Sequence, residues 1–166
     1  MAGSKTNDGI KSSSSAATLE ANPIGADEIR ALVQHFWNLF SAKSMSEFER
    51  LYAATATVFA ADARRSEPAR LMLVRRGREL FGVGSAVGAK LATIDVQLLR
   101  HDLAVASYVF QFSVTRVLPN GKRVRVEVPF GRATQVFKRD DSGTLRIIHE
   151  HMSSAEPVTP EELPSN

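Results

Sequence analysis

The sequence predicts an α+β fold, with helices first and a curved, mostly antiparallel sheet after them. Two observations carry this. Between residues 26 and 81 apolar side chains recur at helical spacing in three segments. From residue 91 onward long β-rich runs take over, separated by "PNG" (119–121) and "RDDSG" (139–143), both turn signals. Helices followed by antiparallel strands fold as helices covering one face of a sheet.

The first helix is expected over residues 26–42, "ADEIRALVQHFWNLFSA". Ile29, Leu32, Val33, Phe36 and Phe40 share one stripe, and Asp27 and Glu28 occupy the first turn, where the helix dipole favours negative charge. A second, shorter helix should begin at Ser44. "SMSE" is a capping-box pattern running from Ser44 to Glu47, and Met45, Phe48, Leu51 and Tyr52 form the buried face. "TVFA" (57–60) reads as a short strand. Pro68 suits the first turn of a third helix, "PARLMLVRRGRELF", which ends near Phe81 and is followed by a loop, "GVGSAVG".

The strands follow in order. "LATIDVQLL" (91–99) and "LAVASYVFQFSVTRV" (103–117) join at "RHD". "KRVRVEVPFGRATQVFK" (122–138) carries an irregularity near Pro129 and Gly131, and "TLRIIHEHMSS" (144–154) closes the sheet.

A length of 166 residues allows one domain with its own core, and 43% apolar with 23% charged residues is ordinary for a globular protein. Residues 1–24, rich in Ser and Ala without apolar periodicity, read as a flexible tail. Residues 156–166 read as an acidic one, which leaves 25–155 as the domain. The absence of cysteine excludes disulfides, thiol catalysis and cysteine-held metal clusters. No run is long enough to span a membrane and no signal-peptide core precedes the domain, so a cytoplasmic protein is expected. The net charge of +3 is uneven. Residues 1–24 are neutral and the last eleven carry −3, so the segment between carries +6. Such an excess attracts anions, but the basic residues are poorly interleaved with aromatics, so nucleic acid is not the expected partner.

The C-terminal run "RATQVFKRDDSGTLRIIHEHMSSA" resembles the nuclear transport factor 2-like superfamily, above all SnoaL-like proteins and the association domain of calcium/calmodulin-dependent protein kinase II. Thr134, Val136, Phe137, Asp141, Gly143, Leu145, His149, His151 and Ser153 carry the resemblance. Leu145 stands where that superfamily usually has Trp. The resemblance implies a cone-shaped α+β barrel, open at one end around a pocket and usually dimeric through the outer face of the sheet. It does not imply one reaction, because function lies in the site rather than the fold.

Strand alternation puts Leu145, Ile147, His149, His151 and Ser153 on one face and Arg146, Ile148, Glu150 and Met152 on the other. The resemblance suggests that the histidine face is the pocket side, which would make His149 and His151 acid–base candidates. His149, His151 and Glu156 also match a His-x-His-x4-Glu metal spacing, but no second motif follows, so no metal and no cofactor are expected. In the preceding strand Arg132 shares a face with Phe130, Thr134 and Val136, where it could hold a carboxylate or decorate the outside. Ala104, Ala106, Tyr108, Phe110 and Phe112 share a face, so Tyr108 brings a hydroxyl to an apolar wall. In the third helix Arg78 falls within the apolar arc of Leu71, Leu73, Val74, Leu80 and Phe81, and it calls for an acidic partner or an anionic ligand. Ketosteroid isomerase-like chemistry needs a carboxylate base and an oxyanion donor. Asp62 is the candidate carboxylate, and Tyr52 or Tyr108 the candidate donor.

Two function classes remain. One is a pocket for a small hydrophobic or anionic ligand, lined by Trp37 among others, in a cofactor-independent isomerase, dehydratase or cyclase. The other is a non-catalytic assembly module whose outer sheet face, with Ile148 and Met152, makes a homodimer. A cone filled by Trp37, Phe40 and Phe59 would favour the second.

Overall fold

The computed structural model describes residues 23–61, 63–80 and 86–154. Asp62, residues 1–22 of the first expected tail and all of the second lie outside these, but Ile24, placed in the first tail, is buried in the core and its N–H donates to His101 O at 2.9 Å. The elements run α1 (Ala26–Ala42), α2 (Met45–Arg50), β1 (Tyr52–Phe59), β2 (Glu67–Pro68), α3 (Ala69–Leu80), β3 (Ala86–Arg100), β4 (Leu103–Val117), β5 (Arg123–Arg139) and β6 (Leu145–Ser154). Among the described residues six strands form one sheet, in the order β2-β1-β6-β5-β4-β3. All neighbours are antiparallel except β1 and β6, which run parallel.

The amphipathic stripe of α1 buries Ile29, Val33, Phe36, Trp37 and Leu39 against the sheet. At its start the Glu28 carboxylate accepts the Gly25 N–H (3.4 Å) and binds Arg139 at the end of β5 at 2.7 and 2.9 Å. This anchors the helix to the far end of that strand. Lys43 ends the helix in a left-handed conformation, φ 58°, and its N–H donates to Phe40 O while Ser44 N–H donates to Leu39 O. The second helix starts at Met45 as its pattern predicts, but the Ser44 side chain makes no cap bond. It also ends sooner than expected. Tyr52 is the first residue of β1 rather than the last of a helical face.

Both turn signals are turns. Gly121 (φ 78°) and Gly143 (φ 83°) take up conformations that residues with a Cβ resist. Asp140 organises the second turn, accepting from Ser142 N–H at 3.0 Å, Thr144 N–H at 2.9 Å and Arg146 Nε at 3.1 Å. The Ser142 hydroxyl, which donates to the same carboxylate at 2.5 Å, and then these contacts hold its carboxyl down at about 2. Part of the expected loop at 82–88 is strand, since β3 already begins at Ala86.

The core lies between α1, α2, α3 and one face of the sheet. Phe36, Trp37 and Phe48 of the helices meet Tyr52, Ala104, Ala106, Tyr108, Phe110, Ala133, Phe137 and Ile147 of the strands. Trp37 is the hub, its ring centroid 4.7 Å from Phe110, 5.3 Å from Phe40 and 5.5 Å from Phe36. The irregularity near Gly131 has a steric reason. A Cβ at that position would overlap the Phe110 ring, which lies across the β5 backbone.

Candidate functional site

The last strand is where alternation alone misleads. Val136 of β5 pairs with His149 of β6, yet the next residue, Phe137, pairs with Ile147. Ile148 is thus an extra residue, a β-bulge, and it inverts the facing of everything after it. Ile147 is fully buried in the core, and two positions later His149 is on the outside instead of beside it. Glu150 and Met152 turn inward: Glu150 is fully buried, and Met152 packs against the core.

The histidines therefore face away from the helices, contrary to the expectation that their side is the interior. The two do share a face. His149 Nδ1 is 2.8 Å from Thr57 Oγ1, and the ring of the exposed His151 meets Phe59 edge-on at 5.5 Å. Met152 is likewise not on the outer face. Arg132 pairs with Ser153 on that face and is exposed, which resolves its two readings in favour of the outside. Arg78 is exposed too, so it needs no buried partner. The arc of α3 that packs inward carries Met72 and Leu73, whereas Leu71 and Val74 face outward.

Behind β6 a polar cluster is set into the apolar core. The Glu150 carboxyl receives the Tyr52 hydroxyl, 3.2 Å from each oxygen, and the Gln135 Nε2 at 2.5 Å. Each partner comes from a strand neighbouring Glu150. Tyr52 opens β1, and Gln135 faces Glu150 directly across the β5–β6 ladder. Burial pushes the Glu150 carboxyl up to about 7, with the hydrogen bonds from Gln135 and Tyr52 opposing the shift. Tyr52 and Tyr108 are both pushed well above the ordinary phenol range, first by burial and then by the Glu150 charge. Tyr108 thus lies within the field of the carboxylate.

Three further polar atoms here are buried without a hydrogen bond of good geometry: Trp37 Nε1, Tyr108 OH and Gln135 Oε1. Trp37 is close enough to oppose the rise in the Tyr108 pKa. Buried polar atoms are ordinarily satisfied, so these three atoms and the Glu150 carboxyl form a polar island within a core that Trp37 and Phe40 help to fill. Of the residues singled out in the sequence, the fold gathers Tyr52, Tyr108 and Trp37 here and leaves His149, His151, Arg132 and Arg78 outside. Glu150 and Gln135 were missed. Their signal was a polar residue within an otherwise apolar alternate row, Ala133–Gln135–Phe137 in one strand and Ile148–Glu150–Met152 in the other.

Among the described residues no three potential metal-ligating side chains come together, and no helix is long and apolar enough to cross a membrane.

No protein-family model matches the sequence, and no curated protein does. Solved structures do match. A protein from Xanthomonas campestris described as a calcium/calmodulin-dependent protein kinase II association domain is 24% identical with a TM-score of 0.61, over 83% of this chain and 90% of that one. The hub homology domain from a Chlamydomonas alga is 20% identical with a TM-score of 0.60, over 79% and 98%. A nuclear transport factor 2-like protein of unknown function from Pseudomonas putida is 20% identical with a TM-score of 0.60, over 83% and 95%. The helices packed on one face of an unclosed, mostly antiparallel sheet, together with these likenesses, give this chain the nuclear transport factor 2-like fold.

Proposed function

We propose that the protein binds a small, largely apolar molecule carrying a carbonyl or similar acceptor group at the Glu150 cluster, and that it moves a proton on that molecule as a cofactor-independent isomerase or lyase. The observation that supports this is a fully buried carboxyl with a pKa near 7, set beside a tyrosine hydroxyl and an indole N–H that lack good hydrogen bonds. A base of that pKa takes a proton at neutral pH and returns it readily. Ionised Glu150 would remove a proton from the carbon next to the carbonyl, while the Tyr108 hydroxyl and Trp37 N–H donate to the oxygen on which charge collects. Return of the same proton to another carbon completes an isomerisation. Tyr52 and Gln135 orient the carboxylate, and the surrounding aromatic rings exclude water.

The test is a thermal-shift panel of cyclic ketones and carboxylates on the unmutated protein, on Tyr108→Phe and on His151→Ala. At least one compound should raise the melting temperature of the unmutated protein and of His151→Ala, and raise that of Tyr108→Phe less. The reading fails if no compound stabilises the unmutated protein.

A second reading, assembly without chemistry, is favoured by the outer sheet face. Val105, Val109, Val136 and Ile148 are only half-buried there, beside His149 and His151. The solved structures described as association or hub domains point the same way. In this reading that face makes a homodimer, and a monomer in light scattering at micromolar concentration would count against it.

A further inference from the structure

Helix α3 has a built surface that the interior cluster does not use. Arg70, Leu71, Val74, Arg75 and Arg78 line an open groove of about 470 Å³. Leu71 is 62% exposed and Val74 42%, on a helix whose Met72 and Leu73 are buried. Arg75 is held by Glu67 at 2.6 Å, and among the described residues Arg70 and Arg78 have no ion pair. Two aliphatic side chains between two unpaired cations fit an occupant that is acidic and carries aliphatic residues of its own.

Such a segment follows β6 directly. Residues 156–163, "EPVTPEEL", hold Glu156, Glu161 and Glu162 together with Val158 and Leu163. The pairings of the sheet establish its reach. Pro68, just before α3, pairs with Thr57, and Thr57 pairs with His149. That places the start of α3 two strand spacings, about 10 Å, from the level of His149. Ser154 lies about 17 Å further along β6, so the near end of the groove is about 20 Å from Ser154. Glu161 and Glu162 can extend about 24–28 Å beyond Ser154, and the arginine and glutamate side chains add to that. Pro157 and Pro160 reduce the freedom that docking would remove.

We propose that residues 161–163 dock on the α3 groove of the same chain, with residues 155–160 spanning the distance to it. Glu161 and Glu162 pair with Arg70 and Arg78, and Leu163 covers Leu71 and Val74. Tethering holds the segment at millimolar effective concentration, so a contact too weak to form between separate molecules suffices within one chain.

The absence of cysteine from the sequence makes the test direct. A spin label on Ser165→Cys in the full chain should weaken the methyl signals of Leu71 and Val74. The weakening should disappear in Arg70→Glu/Arg78→Glu, in Glu161→Lys/Glu162→Lys, and at raised salt. Both arginines are exposed, so their replacement leaves the core alone. Three results would each overturn the proposal. One is weakening centred on another face or spread evenly. Another is weakening that survives the arginine replacements. The third is weakening that passes from labelled to unlabelled molecules in a mixture, which would make the contact intermolecular.

Discussion

Glu150→Gln should change how stability depends on pH. In the folded chain the Glu150 carboxyl titrates at about 7, against an ordinary value of 4.5. A raised carboxyl pKa means that the folded state binds the proton more tightly than the unfolded state does. Glu150 therefore costs nothing well below pH 4.5, its cost grows as pH rises towards 7, and the cost is constant above that. A shift of this size corresponds to roughly 3 kcal/mol, a substantial part of the stability of one domain. Glutamine keeps the shape and removes the titration. It also supplies a donor for Gln135 Oε1, which is now unsatisfied, once the two amides pair. Urea unfolding at intervals from pH 5 to pH 9 should find the variant within about 1 kcal/mol of the unmutated protein at pH 5 and more stable by roughly 3 kcal/mol at pH 9. A difference that is the same at every pH would refute the reasoning, as would a Glu150 carboxyl carbon that titrates near 4.5 by NMR.

Gly131→Ala should destabilise the fold by about 1–3 kcal/mol or more, because the new Cβ overlaps the ring of Phe110, which Trp37 backs at 4.7 Å. A melting temperature equal to that of the unmutated protein would show that the ring can move aside. Asp140→Ala should flatten the stability profile in acid. A carboxyl lowered from 3.8 to about 2 contributes above pH 4, and the contribution is lost as pH falls through 2. Stability profiles of the two proteins that run parallel between pH 4 and pH 2 would contradict this.

Much of the fold was legible in the sequence because its signals are local. The helical stripe of α1, the turn glycines at 121 and 143, and the apolar row Ala104–Ala106–Tyr108–Phe110–Phe112 each follow from spacing and backbone freedom within a few residues. That row already placed Tyr108 on an apolar wall, which the structure turns towards the helices. The boundary at Tyr52 was less legible, since an aromatic residue after an amphipathic turn suits helix or strand, and only pairing with Ile147 makes it strand. For α3, arginines flank both sides of the aliphatic residues, so composition does not say which arc packs inward. Contact with β1 turns Met72 and Leu73 in and leaves Leu71 and Val74 out.

By itself, then, the sequence determined the class of fold, the order of its elements and the fact that His149 and His151 lie opposite Glu150. Only the tertiary structure decided which of them is inside. Alternation specifies relative facing, but one extra residue reverses it, and "RIIHEH" contains no glycine or proline to mark the place. The bulge at Ile148 exists because Ile147 must face Phe137 in the core while His149 pairs with Val136 on the outside. That is a demand of the neighbouring strand, and it puts a carboxyl where the local pattern had put two imidazoles.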